Sequence, residues 1–177
     1  MVRSISRRET FPPATNEPPM TTTATNRWRT IAMQAPIAGL VAGTTLVGYL
    51  ALTSLPDHNP MNFFAWIPSV ALGAAAGTTT AWAILGILLH YVVSIGWAGG
   101  YAYLTTDRTF LNRRWLISGL FFGLMVYMFM DLLLIGVSKF TWPPTPLAWL
   151  NGIFAVMVFF GAPLALVISR LDKNAAA

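Results

Sequence analysis

The sequence predicts an all-α membrane protein: four transmembrane helices plus one outer interfacial or re-entrant helix at about 63–77. Three observations predict it. Apolar residues make up 55% of the chain and charged residues 10%; a soluble domain carries about 25% charged residues, so this chain cannot cover a water-facing surface. Four segments, about 30–55, 80–104, 115–137 and 147–168, reach the roughly 20 mostly apolar residues that a membrane helix needs. The basic residues flank these segments and do not share one face, so the net charge of +5 reports topology and excludes a nucleic-acid surface.

Residues 1–29 are rich in threonine and proline and predict a disordered or docked tail. Met20 is an alternative start, because Met20-Thr21-Thr22-Thr23 leads directly into Arg27. Ser6-Arg7-Arg8 with Phe11 has the outline of a twin-arginine export signal. That signal needs an apolar stretch next, and here Pro12, Pro13 and Asn16 follow.

The stretch Asn62–Leu104 is apolar throughout and as one helix would run ~60 Å, twice the hydrocarbon thickness. It must break, and Gly77-Thr78-Thr79-Thr80 is its weakest point. Charge decides whether 63–77 is a further span. With four spans and the amino terminus inside, Arg3, Arg7, Arg8, Arg27, Arg29, Arg108, Arg113, Arg114, Arg170 and Lys173 lie inside and Lys139 outside, ten against one. With five spans the count is six against five. Lysine and arginine cross reluctantly, so four spans are predicted, with both termini cytoplasmic, a cytoplasmic tail at 171–177 and 63–77 as an outer helix interrupted by Pro68. Trp28, Tyr101, Tyr103 and Trp115 fall at the predicted inner boundary, and Trp66, Trp82, Trp142 and Trp149 at the outer one, where amphipathic rings prefer to sit. Pro143, Pro144 and Pro146 suit the start of the last helix.

Glycines spaced by four recur: Gly39 with Gly43, Gly73 with Gly77, Gly96 with Gly100, and Gly119 with Gly123. Small residues one turn apart let helix backbones meet in lipid, so these are candidate packing faces, within the bundle or toward another subunit. Ala148, Asn151, Ala155 and Ala162 give the last helix a small face.

Asp131 is the only carboxylate within a span and His90 the only histidine. A charged aspartate at mid-membrane costs at least ~2.5–3.5 kcal/mol, so Asp131 should be neutral, paired or wet. His90 lies ~22 Å, and Asp131 ~25 Å, from the predicted inner end of its helix. The depth match predicts an intramembrane pair that fixes helix register or carries a proton or solute, with Thr45, Tyr127 and Asn151 as candidate neighbours. Asp57 and His58 read as a solvated turn. Without cysteine there is no thiolate metal site, cysteine nucleophile or thioether-attached haem. No phosphate loop, nucleophile elbow or HExxH pair is present. No catalytic residue, metal or cofactor is expected.

Gly86-Ile87-Leu88-Leu89-His90-Tyr91, then Ser94-Ile95-Gly96-Trp97-Ala98 and Tyr101, resembles a pattern in small four-helix bacterial inner-membrane proteins of uncharacterised activity. Gly119 through Met130 and Gly161-Ala162-Pro163-Leu164-Ala165-Leu166 are similar to that group's later helices. The resemblance spans about 30–170 and implies four helices and a bacterial inner membrane, but no activity. The expected role is that of a non-enzymatic accessory or assembly subunit of a larger membrane complex. The alternative is a small-solute or proton carrier or channel using His90 and Asp131.

Overall fold

The computed structural model describes residues 20–53, 61, 64–65, 67–68, 80–106, 108–137 and 145–175. The expected tail at 1–19, the Gly73 and Gly77 pair, Asp57, His58, Trp66, Lys139 and Trp142 lie outside the described residues. Among those described there is no strand.

Helix α1 is Met20–Thr53, α2 Thr80–Thr105, α3 Thr109–Arg113, α4 Trp115–Val137, α5 Pro146–Val156 and α6 Ala162–Ala175. A π-helical turn, Met157–Gly161, joins α5 to α6, and the three make one continuous fourth span. Helix α1 thus starts inside the segment expected to be tail, already at Met20. Four helical stretches are long and apolar enough to cross a membrane: Asn26–Thr53, Thr80–Thr105, Trp115–Leu133 and Pro146–Lys173. The chain is a multi-pass membrane protein. Large apolar side chains such as Leu88, Val92, Phe121 and Leu132 stand exposed around the bundle, where only lipid can solvate them.

Alternate helices run in opposite directions, so α1 begins and α6 ends at one end of the bundle, here called proximal. Among the described residues every arginine and lysine lies toward that end: Arg27, Arg29, Arg108, Arg113, Arg114, Arg170 and Lys173. Arg27 stacks its guanidinium 4.2 Å over the Tyr103 ring and donates to the Tyr103 carbonyl at 2.9 Å. Trp28 stacks on the same ring at 5.9 Å. Tyr101, expected at the boundary, is instead 2% exposed in the core, with its hydroxyl 2.7 Å from that of Ser118.

Helix α1 packs on α2, α4 on the fourth span, and α1 on the fourth span. The first contact is made at Gly39, where a Cβ would stand 2.6 Å from the Ile95 Cα. The second is made at Gly119 and Gly123. A Cβ on Gly119 would lie 2.5 Å from the Gly161 carbonyl oxygen, and one on Gly161 would run into the carbonyl of Gly119. One turn on, a Cβ on Gly123 would meet the Met157 Cα and the Val156 carbonyl oxygen, both at 2.8 Å. Helices α2 and α4 meet through rings, with Trp97 5.2 Å from Phe129 and Tyr101 5.0 Å from Phe122. Around these crossings the core is tightly filled: Ala38, Ala42, Ala98, Ala102, Leu164, Ala165 and Ile168 are all fully buried.

Of the segment expected at 63–77, Phe64, Ala65, Ile67 and Pro68 are described, and all are helical. Phe64 clusters with Val47 and Ala83. Its carbonyl occupies the space a side chain at Gly86 would need, and its ring lies 5.7 Å from that of His90. Gly86 is ~9 Å along α2 from Thr80. These residues therefore pack against α1 and α2 near the distal end.

Candidate functional site

The fourth span carries the local feature that shapes the centre of the bundle. Thr145 caps it, its hydroxyl accepting from the Ala148 amide at 3.2 Å, with Pro146 in the first turn, where its missing N–H costs nothing. Pro163 cannot donate to the Phe159 carbonyl four residues earlier. The chain widens here into the π turn, the Ala162 amide reaching back to Met157. The carbonyl of Phe159 accepts a 2.6 Å hydrogen bond from the Thr45 hydroxyl of α1. Thr45 thus bonds the fourth span and not His90 or Asp131.

Asn151 likewise serves elsewhere, accepting from the Tyr49 hydroxyl at 2.6 Å. His90 turns toward α1 and gives its Nε2–H to the Gly43 carbonyl at 3.2 Å. Gly43 permits this, because a Cβ there would meet the Ser94 hydroxyl at 3.0 Å and the imidazole at 3.2 Å. Asp131 interacts instead with the side chain of Tyr127, one turn earlier on its own helix. Its Oδ2 is enclosed and has no hydrogen-bond partner among the described residues. The Tyr127 ring lies over Gly152, where a Cβ would be 2.9 Å from its hydroxyl.

The expected His90–Asp131 pair is therefore corrected: no hydrogen bond or ion pair joins them. A depth argument fixes height along the bundle, not direction around a helix. His90 belongs to the α1–α2 seam, and Tyr127 to the α4–fourth-span seam. Between the seams lies a cavity of about 310 Å³. All four spans and Ile67 line it, and its walls include Leu46, Leu89, Val93, Trp97, Met130, Ala155 and Phe160. His90, Ser94 and Tyr127 also line it; Asp131 does not.

The glycine pairs divide. Gly39, Gly43, Gly119 and Gly123 are all buried at crossings within the bundle. For these four the alternative expectation, a face turned to another subunit, is corrected: a neighbouring span of the same chain already fills the space. Gly123 in particular faces the Val156 carbonyl and the start of the π turn, so it fixes where α4 crosses the widened stretch. Gly96 and Gly100 behave otherwise: no atom lies within 4 Å of a Cβ on either, and both are exposed. The reading of Gly96 and Gly100 as a face packed within the bundle is corrected accordingly.

A polar node at the proximal end was missed. Asp172, assigned to the tail, accepts from the Gln34 side-chain amide of α1 and, at 2.5 Å, from that of Asn112 on α3. It clasps three elements. The signal was periodic: Leu164, Ile168 and Asp172 follow one helical stripe, so the carboxylate continues a buried face. Gln34, 5% exposed, continues the Ile31, Ala35, Ala38 stripe in the same way.

Among the described residues no group of histidine, cysteine, aspartate or glutamate could hold a metal ion. No family model, curated protein or solved structure matches the chain.

Proposed function

We propose that the chain is a non-enzymatic integral membrane protein that works by association, as an accessory or assembly subunit of a larger complex. It would sit in a bacterial inner membrane with both ends cytoplasmic. The gathering of basic residues at the proximal end supports that orientation.

The observation that carries the reading is the open face of α2. The bundle uses the four-residue glycine spacing twice for backbone contact and leaves it unused at Gly96 and Gly100, beside exposed Leu88 and Val92. A second membrane helix of small residues would fit there at the same close range. A proton pathway is less well supported, because the cavity wall is mostly hydrocarbon and its proximal side is closed by packed core.

The test is recovery in mild detergent followed by mass spectrometry. The expected result is a fixed set of membrane subunits with the wild-type chain, lost when Gly96 and Gly100 are both replaced by leucine while thermal stability is kept. Recovery of the wild type only as a monomer or self-oligomer overturns the reading.

A further inference from the structure

We propose that the central cavity is a binding site for one hydrocarbon chain, fatty-acyl or isoprenoid, taken sideways from the bilayer. This is independent of the assembly reading. The cavity lies wholly within the spans, from Leu50 near the distal end of α1 to Phe160 near the middle of the fourth span. Two of its polar wall groups are engaged with protein partners, His90 with the Gly43 carbonyl and Tyr127 with Asp131, and the Ser94 hydroxyl lies beside Gly43 of α1. A buried water needs two to four polar partners, which these commitments withhold. The remaining wall is aliphatic and aromatic, the surface a hydrocarbon chain matches.

The shape points the same way. Toward the proximal end the cavity stops at Trp97 and Phe160 and the packed core behind them, so it is a pocket and not a conduit. Val93 lines it while standing 39% exposed on the bundle surface. That places the opening at the α2–α4 seam, distal to the Trp97–Phe129 contact. At about 310 Å³ it falls at the small end of ligand pockets, roughly 300–1,000 Å³, and suits a single chain better than a headgroup.

The experiment uses the full chain in phosphatidylethanolamine–phosphatidylglycerol vesicles with two photoreactive probes, a mid-chain diazirine palmitate and a benzophenone-tagged farnesyl alcohol. Adducts are mapped by mass spectrometry. At least one probe should label peptides bearing Trp97, Tyr127 and Met130 saturably, and the one that does identifies the chain type. Excess unlabelled chain should compete, a readout that needs no variant. Ala155→Phe, which fills the pocket, should lower this labelling about tenfold, equivalent to about 1.4 kcal/mol of binding. Leu46→Trp fills it from another wall and should act alike, whereas Leu88→Phe on the outer surface should change nothing. Labelling that rises linearly with probe and falls mainly on outward residues such as Leu88 and Phe121 overturns the proposal. So does saturable labelling that a folded filling variant leaves intact.

Discussion

Replacing Gly119 by alanine tests whether backbone contact holds α4 to the fourth span. The new Cβ would stand 2.5 Å from the Gly161 carbonyl oxygen and 2.7 Å from the Ala165 Cβ. Favourable contact is at about 3.5 Å or more, so the helices must part by roughly 1 Å. Neither obstacle is the tip of a flexible side chain that could swing aside. A gap of 0.5–1 Å forfeits about a quarter to a half of each dispersion contact across the seam, and such contacts are the main attraction between helices in lipid. Overpacking costs about 1–3 kcal/mol, and the better helix propensity of alanine returns up to about 1 kcal/mol. The net expectation is a loss of about 1–2 kcal/mol. Gly96→Ala is the control, gaining the same propensity where no atom lies within 4 Å. Both are measured by titrating mixed micelles with dodecyl sulfate and following helix content. If Gly119→Ala proves as stable as Gly96→Ala, the crossing is not a backbone contact and the argument fails.

Four further outcomes are expected. Thr45→Val should cost about 0.6–1.7 kcal/mol, from the average to the maximum found for membrane hydrogen bonds, and less in a Pro163→Ala background, where an amide becomes available for the Phe159 carbonyl; an equal cost in both backgrounds would refute the link. Asp172→Ala strands the buried amides of Gln34 and Asn112 and should destabilise by about 1–3 kcal/mol in the same titration, an effect absent if 171–177 were a free tail. His90→Leu and Asp131→Leu should add in a double-mutant cycle, with coupling within about 0.5 kcal/mol; a larger coupling would restore the pair. Cysteine in place of Arg108, in this cysteine-free chain, should react with a membrane-impermeant reagent only after cells are opened, and labelling of intact cells would reverse the orientation.

What could be read in the sequence follows from which physical signals are one-dimensional. Hydrophobic length is one: the four spans follow from counting apolar residues, because bilayer thickness sets a length and nothing else. Direction around a helix is not. The spacing of Gly96 and Gly100 is the same as that of Gly119 and Gly123, and only the arrangement of neighbours decides that one pair faces outward and the other a carbonyl. His90 and Asp131 failed for the same reason, since equal height says nothing of the direction in which each side chain points. Asp172 was legible in principle, because it extends the Leu164, Ile168 stripe. It was missed because charge near a terminus reads as tail. The Thr45–Phe159 bond required knowing that Pro163 orphans a carbonyl and which helix lies opposite.

The π turn has a consequence for how the fourth span divides its labour. Buried positions run Ala155, then Phe160, Leu164 and Ile168, so the step across Met157–Gly161 is five residues where an α-helix would take three or four. The wide turn therefore absorbs one residue, which in a regular helix corresponds to a rotation of roughly 100°. The stretch that walls the cavity and the stretch that ends at the Asp172 node are thus two keys cut on one shaft, each set to its own angle. Losing a single residue from the turn would leave the span long enough to cross the membrane. It would also aim Asp172 away from Gln34 and Asn112 whenever Ala155 still faced the cavity.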